Sequence, residues 1–182
     1  MKSSKNFKTI FAIILLSMIG IQSFAVEGYK DLKFGISKEK VIASKICSFN
    51  TFNPGQIGVK GIACTDFKFG GKTTNAAAFF INDKFLRFVI EPSIDIIEGL
   101  SKGLVKKYGA PSSMSTDNEF NAVDNHPNKE AFLAFDNNTV YLKIMSDKVN
   151  IQTTILIYTS PLYDILLSKN QENSLKDDLW NK

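Results

Sequence analysis

The residues of this 182-residue chain with the most reactive side chains are two cysteines, Cys47 and Cys64, and a single histidine, His126. The cysteines bracket a stretch rich in Gly, Asn and Pro, and a bond between them would close a loop of 18 residues counting both ends. In an oxidising compartment a pair at this spacing is expected to form a structural disulfide. Loop closure of that length is worth about 3 kcal/mol in the chain-entropy model. A redox-active pair would use the short C-x-x-C spacing that tunes a thiolate, and a zinc site would need two further ligands where the chain offers one histidine. No metal and no cofactor are therefore expected. His126 sits in Asp124-Asn125-His126-Pro127, near Glu119 and Glu130. A general base needs a rigid partner and a nucleophile in reach, so the main reading is an exposed histidine; the alternative is a small hydrolase or small-molecule site around His126 and the Ser112 to Asn128 segment.

The stronger enzyme signatures are missing: there is no G-x-S-x-G elbow, no H-E-x-x-H and no P-loop. Gly70-Gly71-Lys72-Thr73 lacks the first glycine of a phosphate loop and reads as a turn between strands. Asp95 and Glu98 share the start of a helix, where the dipole already favours carboxylates. The expected protein is not an enzyme.

Charge and hydropathy set the context. Three of the 22 Lys and Arg residues, Lys2, Lys5 and Lys8, precede an apolar run from Thr9 to Ile21, leaving 19 basic against 18 acidic residues in the rest. A near-neutral chain has no electrostatic footprint for nucleic acid. The cationic start, the apolar run and small residues at Ser23 and Ala25 read as a secretory signal peptide over residues 1–25, cleaved after Ala25. The run of 13 residues would make a helix of roughly 20 Å, short of the roughly 30 Å hydrocarbon core, so no membrane span is expected after cleavage. No cysteine stands at the cleavage region to carry a lipid. The expected location is periplasmic or secreted.

The elements follow from pattern. Tyr29 to Phe34 alternates, and Ser37 is a good cap for a helix whose apolar face is Val41, Ile42 and Ile46. Strands are expected over Ile62 to Phe69, Thr74 to Asn82 and Lys84 to Glu91, with Asn82-Asp83 as a two-residue hairpin turn. Ser93 opens a helix through Ile97, Leu100, Leu104 and Tyr108, stopped by Gly109 and Pro111. Ser112 to Asn128 is polar and reads as a long surface loop. Strands over Glu130 to Phe135, Thr139 to Met145 and Val149 to Thr159 form a meander, and Pro161 opens a last helix through Leu166. The expected organisation is one α+β domain over residues 26–170, an antiparallel sheet of repeated helix-strand-strand-strand units suggestive of a duplication, with helices on one face. Residues 171–182 read as a polar tail that frays.

The chain has 15 phenylalanines, and Phe67, Phe69, Phe79, Phe85 and Phe88 on adjoining strands are expected to make a core. Phe80 has the opposite parity to Phe79. With Arg87, the only arginine, it is the candidate for a partner-binding surface on the far face of the sheet.

Phe34-Gly35-Ile36-Ser37-Lys38-Glu39-Lys40-Val41 and Lys107-Tyr108-Gly109-Ala110-Pro111, with Phe79-Phe80-Ile81 and Leu86 between them, carry a resemblance. Over Tyr29 to Ser112 the chain resembles small exported, largely uncharacterised bacterial proteins with an F-G-x-S-K-x-x-V helix start and a K-Y-G-x-P helix end. More loosely, helix followed by antiparallel sheet is similar to the outer-membrane-assembly lipoprotein and β-lactamase-inhibitor-protein type of fold. That resemblance implies binding of another envelope or secreted protein, and brings no catalytic residue.

Overall fold

The computed structural model describes residues 25–180, so the segment read as a signal peptide, apart from Ala25, lies outside the described residues. The alternating segment at the start folds back on itself as a hairpin of two short strands, β1 (Gly28–Tyr29) and β2 (Leu32–Lys33), turning through Lys30 at φ 50°. Helix α1 (Lys38–Ala43) begins after Ser37 and buries Val41. Its carboxyl end leads to Cys47, which is bonded to Cys64 with their Cα atoms 6.2 Å apart.

Strands β3 (Asn50–Phe52), β4 (Val59–Phe69), β5 (Lys72–Ile81) and β6 (Lys84–Ile90) follow. The β5–β6 turn is Asn82-Asp83, both at positive φ, and the β4–β5 turn is Gly70-Gly71, at φ 57° and 78°. A short 3₁₀ turn leads into α2 (Ile97–Tyr108). Then come β7 (Ser113–Met114), α3 (Asp117–Asn125), β8 (Glu130–Phe135), β9 (Val140–Ser146), β10 (Gln152–Thr159) and α4 (Leu162–Trp180).

Eight strands form one antiparallel sheet in the order β3-β4-β5-β6-β10-β9-β8-β7. The order is symmetric about the β6–β10 seam: each half runs from a short edge strand through a three-stranded meander to the centre. The protein is α+β, as its sequence pattern indicates.

One face of the sheet carries the main core. Ile62, Cys64 and Phe67 of β4, Ala78 and Phe80 of β5, Phe85, Phe88 and Ile90 of β6, and Leu142 and Leu156 of the second half lie in it. Tyr29 reaches in from the β1–β2 hairpin, stacked 4.8 Å from Phe88, and Val41 and Leu104 bring in α1 and α2. Helix α3 joins them on this side, with Phe120 beside Ile97 of α2 above Leu133 and Leu142. The expectation of helices on one face holds for these three. Helix α4 instead crosses an end of the opposite face, where Tyr163, Leu166 and Leu167 pack with Val59, Phe79, Ile81 and Leu86 in a second cluster.

Three expectations are corrected. Ser112 to Asn128 is an ordered strand and helix rather than a loop. Thr116 and Glu119 form a reciprocal capping box, and Val123 anchors the helix by complete burial. The polar tail is helical: α4 continues to Trp180, about 28 Å in 19 residues, and its second half projects with Leu175, Leu179 and Trp180 exposed.

The third correction is Phe80, which is 1% exposed and points into the core, while Phe79 takes the opposite face. Ala76, Ala78 and Phe80 alternate onto the core face of β5, and a bulge in β6 obscures this in the sequence. Phe79 pairs with Arg87 and Phe80 with Phe85, leaving Leu86 unmatched, so Phe85 and Phe88 reach one face although three residues apart. No helix among the described residues is long and apolar enough to cross a membrane.

Candidate binding face

Because strand side chains alternate, the residues opposite the main core can be read from the register. Ala63 pairs with Ala77, Ala77 with Val89, Val89 with Ile157, Ile157 with Tyr141, and Tyr141 with Ala134. These six residues make one uninterrupted apolar row across β4, β5, β6, β10, β9 and β8. All but Ala134, which is buried, are half-buried.

On one side of this row lie Phe79, Arg87 and Thr159, and on the other Asn75, Glu91, Ile155, Lys143 and Phe132. A groove of about 450 Å³ opens over the first half of the row. Ala63, Ala77, Val89 and Ile155 line it, with polar Thr65, Asn75, Glu91 and Thr153 around them. Asn75 Nδ2 donates to Glu91 at 2.8 Å, so the rim is internally hydrogen-bonded. At the far end Phe132 and Tyr141 lie 6.1 Å apart, and Lys143 reaches Glu130 at 3.5 Å. Burial, the nearby Asp164 charge and, in the opposite sense, Arg87 act on the Tyr141 phenol, with a net upward push on its pKa.

Arg87 does lie on this face, but its guanidinium is already engaged. Nη2 donates to Asp164 at 2.8 Å, Nε to Thr159 at 3.0 Å, and the group stacks 3.6 Å above the Tyr163 ring. Tyr163 is buried, and its hydroxyl donates to Gln56 at 3.0 Å. Burial raises the Tyr163 pKa, with Arg87 acting against it. These contacts tether the start of α4 to β6 and to the loop before β4. Phe52 covers Gly61 on the edge and meets Phe79 edge-on at 5.8 Å.

The other chemically suggestive residues do not converge. His126 ends α3 with its side chain exposed, and Ser146 donates to its backbone carbonyl rather than to its ring. Cys47, Cys64 and Asp66 form a metal-like cluster among the described residues, but the sulfurs are joined to each other, and Asp66 accepts from the Ser48 N–H at 2.9 Å. That hydrogen bonding holds the Asp66 carboxyl below its usual range. Asp95 is likewise held low, first by Lys72 at 2.5 Å and then by Ser93. Glu98 pairs with Lys102 one turn on.

A family model described as "Uncharacterised protein" matches residues 29–178. The chain belongs to this family. A protein of Haemophilus influenzae, also named "Uncharacterized protein", is 33% identical over 171 residues, covering 92% of this chain and 96% of its own. No solved structure matches.

Sequence reasoning placed Arg87 on this face but missed the apolar row. Its members are single small, aliphatic or aromatic residues spread from position 63 to 157, and only the pairing of β6 with β10 lines them up. The available signal was alternation within each strand, which gives a face but no neighbour.

Proposed function

We propose that this protein is an exported, non-enzymatic binder that holds another envelope or secreted protein against the open face of its sheet. The observation that carries the reading is the six-strand apolar row, with Arg87 and Thr159 beside it on one side and Asn75, Glu91 and Lys143 on the other, and with Phe79, Ile155 and Phe132 widening it. A solvated face of an antiparallel sheet is ordinarily polar at alternate positions. Here apolar residues run unbroken across six strands and spread to Phe79, Ile155 and Phe132 beside them, with the Asn75–Glu91 hydrogen bond at the margin, the anatomy of a protein interface.

The small floor at Ala63 and Ala77 suits a partner segment with protruding aliphatic or aromatic side chains. Beside the row Lys143 pairs with Glu130 and Arg87 with Asp164, while Glu91 accepts from the neutral Asn75, so the complementary surface is expected to be neutral to slightly positive. Both edge strands are only two or three residues long, which makes pairing at an edge the weaker mode. Export is supported by the signal-like segment over residues 1–25, and the binding role by the resemblance to exported helix-and-sheet binders.

The test is site-specific photo-crosslinking in the producing cells. A photoreactive residue at Ala63 is expected to trap one protein that a residue at Lys102, on the opposite side, does not trap. Ile155→Asp should abolish that adduct while unfolding at an unchanged denaturant midpoint. Equal adducts from both positions, or none from the face, would overturn the reading.

A further inference from the structure

Glu91 stands at the junction of two cavities. On one side lies the apolar groove over Ala63, Ala77, Val89 and Ile155, and on the other, past the end of β6, a polar pocket of about 340 Å³. Thr65, Asn75, Glu91 and Thr153 line both, so the groove leads over Glu91 into the pocket. Among the described residues, Glu91 is the only carboxylate in either lining.

Hydrogen bonds hold this residue in place. Its N–H donates to the Asn75 carbonyl at 3.0 Å, and the Thr74 hydroxyl donates to its carbonyl. The side chain is half-buried and accepts from Asn75 Nδ2 at 2.8 Å. A glutamine would accept that bond equally well, so the bond does not require a charge. A carboxylate offers about four acceptor sites, and a single neutral donor fills one of them here.

The neighbouring cations are engaged elsewhere. Lys72, at the far side of the polar pocket, pairs with Asp95 at 2.5 Å, and Lys68 at the same end of the sheet donates to Thr73. Lys143 lies beyond Ile155 in the flanking row and reaches Glu130. Among the described residues, no lysine or arginine comes within ion-pair distance of Glu91. Asp124, which accepts from Gln152 of the pocket wall at 2.9 Å, adds to the negative side of the balance.

These surroundings suit one kind of side chain. Lysine and arginine lay their hydrocarbon stems along apolar surface and keep the charged end among polar groups. Ala77 and Val89 supply the apolar surface, and the Thr65 and Thr153 hydroxyls, which make no hydrogen bond among the described residues, supply acceptors beside the carboxylate. From this juxtaposition we propose that the segment held on the open face presents a lysine or arginine, with its stem over Ala77 and Val89 and its cationic end on Glu91. The inference rests on the binder reading above for the partner, and on the geometry of the groove alone for the charge.

Glu91 then selects among apolar segments. One without a cation would cover the half-buried carboxylate and leave it unpaired, which counts against that segment more than the lost contact alone. The apolar row supplies area, and Glu91 supplies the choice of partner and its register along the groove.

The experiment has two arms. In the first, the isotope-labelled protein is titrated by NMR with acetylated, amidated Leu-Arg-Leu and with the same peptide carrying neutral citrulline in place of arginine. The arginine peptide is expected to shift the amides of Ala77, Val89, Glu91 and Thr153, and to bind about tenfold more tightly than the citrulline peptide. That preference should shrink with added salt and vanish in Glu91→Gln, whose urea midpoint should match the parent's. Equal binding of the two peptides, shifts confined to other faces, or no shifts would overturn the pairing, and the comparison of peptides needs no variant to fold. In the second arm, Glu91→Gln is expected to cut the adduct trapped from Ala63 in the producing cells about tenfold. An undiminished adduct would overturn the role of the charge and leave the binder reading standing. No adduct in the parent would overturn the binder reading, with the peptide titration still deciding the pairing.

Discussion

Reducing the Cys47–Cys64 bond should cost about 3 kcal/mol, and the structure says where the loss will be felt. The bond joins residues 17 apart in sequence, and loop closure of that length removes about 10–11 cal/mol/K of entropy from the unfolded chain, or roughly 3 kcal/mol at 25 °C. Cys64 is 4% exposed in the middle of β4, whereas Cys47 belongs to the segment after α1 that packs at the rim of the core. Reduction therefore frees the loop and edge strand β3 while leaving Cys64 between its β5 neighbours.

With a urea slope of about 2 kcal/mol/M, 3 kcal/mol lowers the unfolding midpoint by about 1.5 M. The assay is urea unfolding of the oxidised and reduced forms of one chain, followed by far-ultraviolet circular dichroism, with hydrogen exchange read at Thr51 and Ile62. Thr51 and Ile62 are partners across β3–β4, and their protection should fall first. A midpoint change under about 0.4 M would refute the loop-entropy reasoning. Global loss of protection with no preference for β3 would refute the claim that the bond chiefly secures the edge.

Two further predictions discriminate between readings. Phe80→Ala should destabilise by about 3–5 kcal/mol as a fully buried aromatic, and Phe79→Ala by clearly less, because Phe79 is half-buried on the other face; equal costs in denaturant unfolding would contradict the opposite faces assigned to them. Burial pushes the Tyr29 phenol up to about 12, so the folded state keeps a proton that the unfolded state gives up from its ordinary value of 10.0. Stability should therefore be intact below pH 10, decline from there and be lost through pH 12, and Tyr29→Phe should remove that part of the decline in an alkaline unfolding series. The Tyr29 hydroxyl is buried without a hydrogen-bond partner among the described residues, so the same variant should not be less stable at pH 7. A large loss there would show that the hydroxyl is satisfied.

What could be read from the sequence was mostly local. Asn82-Asp83 fixed one hairpin, the Ile97, Leu100, Leu104 spacing fixed α2, and a lone pair of cysteines left one pairing. Ser112 to Asn128 misled because composition outweighed pattern: the Thr116-x-x-Glu119 box and the Phe120, Val123 spacing were present, in a segment whose remaining residues are those of loops. Phe79 and Phe80 were assigned to the wrong faces because parity was counted without the unmatched Leu86. The apolar row was illegible for a different reason. Its central contact joins Val89 to Ile157, and nothing local in either strand names the other as its neighbour.

The dimensions of the open face constrain what can sit on it. Six strands at about 4.8 Å make the row about 24 Å long, and including the flanking positions on both sides gives a width of about 14 Å, or roughly 330 Å² in projection. A stable interface needs about 800 Å² from each partner. The sheet alone falls short, so a partner that binds here must also rest on a neighbouring element. Helix α4 is that neighbour: it enters this face directly after β10, and Leu162 and Ile165 in its first turns are exposed. On the proposed binding role, Arg87 would act in recognition without touching the partner. By bonding Thr159 and Asp164 and stacking on Tyr163, it sets the angle at which α4 leaves the sheet. Under that proposal the single arginine matters to binding through the shape of the surface, as a positioning residue between the apolar row and the helix beside it.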